Sequence, residues 1–388
     1  MLTLVHYGEI ALKGKNRRFF EDKLTENIKR ATGGRVRKLE SRLVVEDGNP
    51  EHLKYVFGIS WFAPAYRVEK NLGAIVDFIL KKVGERVGES KSFGVFVKRA
   101  DKRFPYTSPQ IAGEIGAEVA RKYGLKVRLK DPELPIYVEI AEDAFVYFEK
   151  IRGLGGLPVG ANGRVLCLLS GGIDSAVASY LIMKRGCRVD FIHFHVFPQN
   201  KSVVDTKISD LVEVLNRYQF ESKVFLVPYY PFQLALLNLD TDRKTRGYEL
   251  VLFRRFMLRV SERIANRYGY QALVTGDSLG QVASQTLENI RAVSEVTSLP
   301  VFRPLIAFDK QEIIDIARRI ETYEISIRPY KDCCSIVAPH PKTRANLERL
   351  KALEEKLGID EVVKKSLELA DVYPFEGSSL RELSRVSL

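Results

Sequence analysis

Hydrophobic and polar positions follow two different periods over the first 70 residues. Helical spacing is found at residues 18–31, and a second helical stretch starts near Pro50. Hydrophobic runs or strict alternation, both typical of strands, cover residues 2–7, 35–39, 43–45 and 61–68. The order β-α-β-β-α-β follows, and it predicts the ferredoxin-like arrangement.

Residues 72–149 alternate helices and strands again and predict a second small α/β unit. Helices are expected from residue 72 and over 108–123, and strands over 93–99, 136–140 and 144–148. The following stretch, residues 153–163, is rich in glycine and contains Pro158, so it favours neither helix nor strand. It predicts a domain boundary.

Basic and aromatic side chains are interleaved at residues 98–106. The cations are Lys98, Arg99, Lys102 and Arg103, and the aromatic residues are Phe104 and Tyr106. Cations of this kind contact phosphates, and aromatic rings stack on unpaired bases. The four cations are therefore candidate RNA-binding residues. A solvated loop around a buried aromatic side chain is the alternative.

Beyond the glycine-rich stretch, hydrophobic strands alternate with amphipathic helices. The predicted strands are 165–169, 191–196, 224–227, 272–275 and 301–302, and the predicted helices include 211–217, 248–267 and 310–320. This alternation predicts a parallel sheet covered by helices on both faces, a doubly wound domain. The remainder after Cys334, including residues 343–357 and 360–370, is predicted as a helical tail.

The composition narrows the class of protein. The 388 residues are 45% hydrophobic and carry a formal net charge of +12, which favours a polyanionic partner such as nucleic acid. A charged surface of the kind found in proteins from hot environments is the alternative. Four cysteines are too few for a disulfide scaffold. Since we find neither a secretion signal nor a membrane span, we expect a cytoplasmic protein.

The segment Ser-Gly-Gly-Ile-Asp-Ser at residues 170–175 carries the candidate chemistry. It follows a hydrophobic strand and precedes a helix. Gly171 and Gly172 let the backbone turn sharply, and the N–H groups of the new helix then face an anion such as pyrophosphate. An ordinary tight turn is the alternative. The spacing matches neither a Walker A motif nor a dinucleotide-binding fingerprint.

Residues 170–175 resemble the pyrophosphate loop (PP-loop) of the ATP pyrophosphatases, which cut ATP between its α and β phosphates and leave AMP on the substrate. The resemblance implies that Asp174 acts in catalysis by positioning the phosphates or a Mg²⁺. It also implies an ATP-binding set of Leu169, Ser170, Gly171, Gly172, Asp174 and Ser175.

Further segments resemble one branch of that superfamily, the tRNA 4-thiouridine synthetases (ThiI), over essentially the whole chain. Residues 155–160 resemble the linker of the family, and residues 275–286 resemble its second nucleotide motif. The resemblance extends the ATP-binding set to Gly276, Asp277, Gln281, Phe194, His195 and Arg255. Residues 254–255 place one arginine near the nucleotide, and the sequence does not choose between them. His193 and His195 should share one face of their strand.

Residues 331–337 resemble the C-terminal cysteine segment of the family, in which a thiol takes part in sulfur transfer. Cys334 is the first candidate for this catalytic role, and Cys333 is the second. Two buried, inert thiols are the alternative.

The first half of the chain resembles the family's ferredoxin-like and THUMP domains, which present the acceptor end of tRNA. There are two departures: Ala176 stands where the family often has proline, and no rhodanese domain, which bears the persulfide in some members, is expected. The sulfur source therefore stays open.

The sequence thus predicts a three-domain α/β protein. Its domains are a ferredoxin-like domain at 1–70, a THUMP domain at 71–160, and a doubly wound PP-loop domain with a helical tail at 161–388.

The resemblance implies adenylation of uridine O4 at position 8 of tRNA, followed by sulfur transfer. It implies ATP and Mg²⁺, an iron–sulfur cluster or a persulfide, a separate donor (cysteine desulfurase or sulfide), and a homodimer. Part of the family acts in thiamine biosynthesis. The alternatives are nitrogen transfer by a related enzyme and a non-catalytic RNA-binding protein.

Overall fold

The computed structural model describes residues 2–239, 247–331, 333, 342–376 and 386–387. The chain divides into two compact units, Met1–Pro158 and Val159–Leu388. The division falls within the glycine-rich stretch at residues 153–163.

The first unit begins with the predicted antiparallel sheet. Its strands are β1 Leu2–Tyr7, β2 Arg35–Leu39, β3 Arg42–Glu46 and β4 Ile59–Val68, and its helix is α1 Arg17–Thr32. The strand order β2-β3-β1-β4 is that of the ferredoxin-like arrangement. The second predicted helix is a 3₁₀ helix, Pro50–Tyr55, whose N-terminus is capped by the side chain of Asn49. Two further 3₁₀ helices are Glu9–Leu12 and Gly14–Asn16.

The same sheet continues into the second half of this unit. The further elements are α2 Leu72–Gly84, β5 Ser92–Arg99, α3 Ser108–Tyr123, β6 Lys126–Val127, β7 Leu134–Ile140, β8 Ala144–Tyr147 and β9 Ile151–Arg152. The order is β2-β3-β1-β4-β8-β7-β5-β6, with β9 on β4. Strand β4 makes this continuity possible because its first part pairs with β1 and its last residues pair with β8. The pattern did not predict one continuous sheet, nor the two-residue strands β6 and β9.

Helices α2 and α3 cover one face of this sheet. Their buried residues recur every four positions, as expected for one face of a helix: Ile75, Ile79 and Val83 in α2, and Ile111, Ile115 and Val119 in α3. They form one hydrophobic cluster with side chains of β5 and β7. Thr107 and Gln110 cap α3 reciprocally, which fixes where the helix begins.

The second unit is built around a largely parallel sheet. Its strands are β10 Arg164–Leu168, β11 Arg188–His195, β12 Glu221–Pro228, β13 Ala272–Val274, β14 Val301–Phe302, β15 Asp371–Glu376 and β16 Val386–Ser387. The first helices are α4 Ile173–Lys184, α5 Lys201–Val204, α6 Lys207–Asn216, α7 Tyr230–Leu237 and α8 Glu249–Tyr268. They are followed by a 3₁₀ helix Ala283–Gln285, α9 Leu287–Ser294, α10 Lys310–Arg319, α11 Tyr323–Ser326, α12 Leu347–Leu357 and α13 Ile359–Glu368.

The strand order β14-β13-β10-β11-β12 confirms the predicted doubly wound fold. Helices α4, α6 and α10 pack together as one layer, and α7, α8, α9 and α13 pack together as another. The chain leaves β10 toward β11 on one side and returns to β13 on the other, so the order reverses between β10 and β13. Open α/β sheets bind ligands outside the carboxyl ends of the strands at such a switch point.

The predicted helical tail is wrong in part. Helices α12 and α13 are present, but residues 371–376 form the strand β15, which pairs antiparallel with β12. Pro374 argues against a strand in the sequence, because proline cannot donate to a ladder. Within the described residues, no helix is both long enough and hydrophobic enough to cross a membrane.

Candidate active site

The loop between β10 and α4 turns the chain sharply at the carboxyl edge of the sheet. Gly171 has a φ of 83°, in the left-handed region that favours glycine. A Cβ placed on Gly171 would lie 2.8 Å from Cδ1 of Ile208. The left-handed conformation therefore favours glycine at this position, and a larger residue would also have to displace the end of the Ile208 side chain.

Two serines hold the loop in shape. The N–H of Ser170 donates to Oγ of Ser175, the Oγ of Ser175 donates to the carbonyl oxygen of Gly172, and the N–H of Gly172 donates to Oγ of Ser170, each at 3.2 Å. Helix α4 begins at Ile173 without a side-chain cap. The N–H groups of its first turn can therefore bind an anion.

A cavity of about 460 Å³, called the first cavity below, lies at the switch point between β10 and β13. The predicted site residues that line it are Leu169, Ser170, Asp174, Ser175, Phe194, Gly276, Asp277 and Cys333. Its hydrophobic wall includes Leu168, Ile192, Leu250, Phe253, Met257 and Val293. The predicted residues that do not line it are Gly171, Gly172, His195, Arg255 and Gln281. The cavity thus joins a hydrophobic side to the polar loop.

Asp277 is buried at the polar side of this cavity and is held by two arginines. Arg254 donates to its Oδ1, and Nε of Arg303 lies 3.1 Å from its Oδ2. The hydroxyl of Thr275 also donates to Oδ2, at 2.9 Å. Burial alone would raise the pKa of Asp277, but the charges of Arg254 and Arg303 hold it below its usual value. Arg254 is one of the two candidate arginines named from the sequence, which did not point to Arg303.

Asp174 lies in the first turn of α4 and contacts two side chains from other elements. Nζ of Lys310 is 2.5 Å from its Oδ1, and Nε2 of Gln281 donates to its Oδ2 at 2.8 Å. Gln281 does not line the first cavity itself but contacts Asp174, which does. Lys310 was missed by the sequence reasoning because it looks like a surface lysine on an amphipathic helix; a weak signal is the capping pair Asp309 and Glu312 around it.

Gly276 allows the second loop to touch the first one. A Cβ on Gly276 would lie 2.8 Å from the carbonyl carbon of Asp174 and 2.8 Å from the nitrogen of Ser175. These are backbone atoms, which cannot swing aside as a side chain can. The resemblance implied that Gly276 is an ATP-binding residue, and the structure shows a close approach of its backbone to helix α4.

Two amide oxygens beside the loop are buried without a protein partner. Among the described residues, Oε1 of Gln281 and Oε1 of Gln285 have no hydrogen-bond donor. Such groups are costly unless a ligand or water satisfies them. Gln285 lines the first cavity. The oxygen of Gln285 can therefore accept a hydrogen bond from a ligand bound there.

The end of β11 points side chains to both sides. Phe194 lines the first cavity, while His193 and His195 lie on the opposite face with their rings stacked 6.4 Å apart, as the alternation predicts. Nε2 of His195 is 2.7 Å from Oδ1 of Asn200, and the residue is buried. Burial lowers the pKa of His195. Phe194, and not His195, is placed where it can contact a nucleotide in this cavity.

The adjacent arginines of α8 face different surroundings. Arg254 lines the first cavity and donates to the carbonyl oxygen of Ser284 at 2.9 Å. Arg255 is buried and makes two hydrogen bonds to Glu354 of α12, at 2.8 and 2.7 Å. The structure therefore places Arg254, and not the predicted Arg255, at the candidate nucleotide site. Arg255 links α8 to α12.

Cys333 is buried and lines the first cavity. Cys334, the first candidate for sulfur transfer, lies outside the described residues. Cys167 lies within β10, where burial raises the pKa of its thiol to about 12. A thiol with that pKa is a poor nucleophile, so Cys167 is a structural residue.

In the first unit, the predicted RNA-binding cations differ in their surroundings. Lys98, Lys102 and Arg103 are exposed, whereas Arg99 donates to the carbonyl oxygens of Phe104 and Tyr106, at 2.9 and 3.1 Å. Phe104 is buried. Arg99 thus holds a loop around a buried aromatic ring, as the alternative interpretation expected, while the exposed cations can contact a phosphate.

Comparison with known proteins identifies the family. The family model described as thiamine biosynthesis protein (ThiI) matches residues 160–359. The chain belongs to the ThiI family. The ThiI ferredoxin-like domain matches residues 2–63, and the THUMP domain matches residues 69–149. The ThiI relationship thus covers both compact units.

Two relatives with high similarity to this ThiI chain are named as probable tRNA sulfurtransferases. One, from Acetivibrio thermocellus, is 41% identical over 96% of this chain and 98% of its own length. Another, from Thermoanaerobacter sp., is 43% identical over 92% of this chain and 95% of its own length. The chain is also similar to a crystallised 4-thiouridine synthetase in complex with RNA and bound ATP. That similarity has a TM-score of 0.88 and 34% identity over 97% of this chain and 99% of the other.

Proposed function

We propose that this protein is a tRNA sulfurtransferase that adenylates a uridine with ATP and replaces its O4 by sulfur, giving 4-thiouridine. The observation that carries the proposal is the first cavity at the switch point, which joins a loop suited to pyrophosphate with a hydrophobic wall suited to adenine. The sulfurtransferase relatives and the ATP-bound 4-thiouridine synthetase support the same assignment.

The pyrophosphate of ATP binds at the start of α4 in this proposal. The N–H groups of the first turn and the hydroxyls of Ser170 and Ser175 face the phosphates. Lys310 adds positive charge beside the loop. Adenine packs against Phe194 and the hydrophobic wall, and Oε1 of Gln285 can accept a hydrogen bond from its amino group.

Adenylation proceeds by attack of uridine O4 on the α-phosphorus. A new O4–P bond forms, the bond from the α-phosphorus to the oxygen that bridges it to the β-phosphate breaks, and pyrophosphate leaves. The proton on N3 of uridine is released. Holding both reactants beside fixed positive groups accelerates this step through positioning and charge stabilisation.

Sulfur transfer then replaces AMP. Free sulfide attacks C4 directly, and AMP leaves with the former O4. A persulfide attacks C4 with its outer sulfur and AMP leaves in the same way, so the base is then joined to the carrying cysteine by an S–S bond. The second thiol attacks the sulfur of the carrying cysteine and 4-thiouridine leaves, and a thiol reductant must reduce the resulting disulfide before the next turnover. We assign Cys334 as the sulfur-carrying or resolving thiol and Cys333, which lines the first cavity, as the second thiol. A separate donor, a cysteine desulfurase or sulfide, must supply sulfur for each turnover because neither thiol gains sulfur from the reaction.

Asp174 fits the proposed magnesium. Mg²⁺ in ATP enzymes is held by one or two carboxylates together with the phosphates. Asp174 offers its carboxylate beside the loop, and Mg²⁺ would supply charge neutralisation for the phosphates there. The proposed sulfur-transfer step uses a persulfide, which needs a single carrying thiol, whereas an iron–sulfur cluster needs several thiolates.

The first unit contacts the tRNA in this proposal. The exposed cations Lys98, Lys102 and Arg103 can contact phosphates, and the THUMP match spans them.

The proposal also includes a homodimer and three domains, at residues 1–70, 71–160 and 161–388. A cytoplasmic location suits reduced thiols. Sedimentation would test the dimer.

Formation of the modified nucleoside tests the proposal. Unmodified tRNA is incubated with the protein, Mg-ATP and either sulfide or a cysteine desulfurase with cysteine, and digested nucleosides are separated by mass. We expect 4-thiouridine that depends on ATP. AMP formation accompanied by an aminated base would instead establish nitrogen transfer. Bound tRNA with neither AMP nor a modified base would leave an RNA-binding protein.

Cysteine variants separate the two half-reactions. Cys334→Ser should release pyrophosphate with tRNA at the wild-type rate but yield no 4-thiouridine with the desulfurase. Cys187→Ser is the matched control, because this thiol lies directly before β11, does not line the first cavity, and has its pKa raised by burial. Equal 4-thiouridine from Cys334→Ser and wild type would contradict the assigned role.

A further inference from the structure

A second cavity opens at the carboxyl edge of the same sheet, beyond the ends of β11 and β12. Its volume is about 910 Å³. Its wall combines the aromatic rings of Phe197 and Tyr330 with the charged side chains of Lys207, Arg328, Lys331 and Asp205. Arg328 is also paired with Asp210, whose Oδ2 lies 2.6 Å from its Nη1. The three cations therefore exceed the two carboxylates by one charge, which favours an anionic ligand, and the rings favour one with a flat apolar face. Nothing in the proposed reaction has yet used these residues.

The second cavity adjoins the phosphate loop through Gly171. A Cβ on Gly171 would lie 3.3 Å from Cε of Lys207 and 3.9 Å from Cδ1 of Tyr330, and both of these side chains line the second cavity. Ser170, the preceding residue, lines the first cavity. The loop backbone therefore forms the boundary between the two cavities. Because Gly171 has no side chain, only backbone atoms separate the cavities at this residue.

His193 connects the same two places. Its Nδ1 is 2.6 Å from the carbonyl oxygen of Leu169, and its Nε2 is 2.7 Å from the hydroxyl of Tyr330. A carbonyl oxygen can only accept, so we assign the proton to Nδ1, and Nε2 then accepts from Tyr330. Burial lowers the pKa of His193 to about 3, which keeps the ring neutral. Tyr330 is thereby tied to the residue that begins the phosphate loop.

The aromatic wall is held in place by its neighbours. The ring centroids of Phe197 and Tyr330 are 5.8 Å apart at an angle of 54°. Nζ of Lys207 lies 5.6 Å from the centre of the Tyr330 ring and donates to the carbonyl oxygens of Ser326 and Arg328, at 2.6 and 2.9 Å. A wall ordered before binding offers a stacking surface at little entropic cost.

We propose that the second cavity binds the nucleotide of the tRNA that becomes modified, with its base stacked on Phe197 and Tyr330 and its phosphate near Arg328 and Lys331. The inference rests on the proposed function. Enzymes that act on a base take it out of its stack into a pocket, and aromatic side chains commonly receive it. A base held here lies beside the phosphate loop, at the place where Gly171 adjoins the ring of Tyr330.

Photocrosslinking tests this placement with the product of the reaction as the probe. Thiocarbonyl bases crosslink to neighbouring side chains under near-ultraviolet light, so tRNA that carries 4-thiouridine at the modified position is irradiated with the full chain. Mass spectrometry of the digested protein should find the crosslink on the peptides that contain Phe197 or Tyr330. A crosslink confined to residues of the first cavity or to residues 1–158 would overturn the proposal.

Variants give an independent measurement. Phe197→Leu and Tyr330→Leu should each lower kcat/KM for tRNA-dependent AMP formation by about 10-fold, the loss expected for one stacking contact. The Kd for ATP should stay within about 2-fold of wild type, since neither ring lines the first cavity. Tyr330→Phe retains the ring and should recover most of the activity. Tyr230→Leu, which changes an exposed tyrosine at the start of α7 that lines neither cavity, is the control and should behave as wild type.

The two proposals fail in different ways. If the assigned reaction is wrong, the wild-type protein forms no AMP with tRNA, and the crosslink still decides what the second cavity binds. If only the cavity assignment is wrong, wild type forms AMP and both leucine variants match it. Melting temperatures of the variants separate a loss of binding from a loss of folding.

Discussion

Nζ of Lys310 lies 2.5 Å from Oδ1 of Asp174, so a lysine of α10 and a carboxylate of α4 meet at the phosphate loop. The side chain of Lys310 remains 45% exposed, which leaves it able to turn toward a phosphate. In the proposed reaction this cation stabilises the charge that develops on pyrophosphate.

Lys310→Met should therefore slow tRNA-dependent AMP formation by about 100-fold, the usual scale for removing one charge-stabilising group. The effect should fall mainly on kcat, measured with labelled ATP at saturating tRNA. Lys310→Arg should restore part of the rate because the charge is kept. Lys365→Met, an exposed lysine on α13, is the control. A Lys310→Met protein as fast as wild type would rule out this role.

Gly276→Ala should impair the site by pushing the two loops apart. The new methyl group would stand 2.8 Å from backbone atoms of Asp174 and Ser175. Such overpacking costs about 1–3 kcal/mol, seen as a lower melting temperature, and ATP affinity should fall as well. Gly113→Ala in α3 is the control, because a methyl group there meets open space. Normal stability and ATP binding in Gly276→Ala would show that the loops are not packed as described.

Variants of Arg254 and Arg255 should separate binding from stability. Arg255→Met breaks a buried ion pair with Glu354 and should lower the free energy of unfolding by about 3–5 kcal/mol, measured with denaturant. Arg254→Met should instead weaken ATP binding, because Arg254 lines the first cavity while Arg303 still pairs with Asp277. The reverse pattern, with ATP binding lost only in Arg255→Met, would support the prediction made from the sequence.

His193 should make the stability depend on pH. Burial lowers its pKa in the folded state to about 3, whereas an unfolded histidine has a pKa of about 6.5. The unfolded state therefore binds the extra proton between these values, and the stability contributed by His193 is complete above the unfolded pKa. It is lost as pH falls through this window, at up to about 1.4 kcal/mol per pH unit.

Denaturant titrations of wild type and His193→Asn at several pH values measure the pH-dependent part of the unfolding free energy that His193 contributes. The variant keeps a donor for the carbonyl of Leu169 but cannot take up the proton, so its stability should decline less steeply below pH 6.5. His52→Asn, an exposed histidine of the first unit, is the control. Parallel pH curves for wild type and His193→Asn would contradict the prediction.

The sequence predicted most of the fold, because long segments with a clear hydrophobic period can be recognised as helices or strands. The two-residue strands β6 and β9 carry no periodic signal, and β15 was hidden by Pro374. The choice between Arg254 and Arg255 could not be made because α8 is buried on most of its surface, so its amphipathic pattern does not point to one face.

The chemistry of the site was predictable where it lies in contiguous motifs. The residues of the two motifs, 170–175 and 275–286, are adjacent in the sequence. The phosphate loop and the second nucleotide motif could therefore be proposed from the sequence. Lys310, Arg303 and Tyr330 come from separate segments and reach the site only through the tertiary fold. Single charged or aromatic residues at such positions look like ordinary surface residues in the sequence.

Cleavage of ATP by wild type and Asp174→Ala decides whether residues 170–175 form an ATP pyrophosphatase site. With label on the α-phosphate, wild type should convert ATP to AMP and pyrophosphate only when tRNA is present, and Asp174→Ala should bind tRNA normally but form AMP at least about 100-fold more slowly. Label recovered as ADP, or equal AMP formation by the variant, would show that this loop does not perform the cleavage.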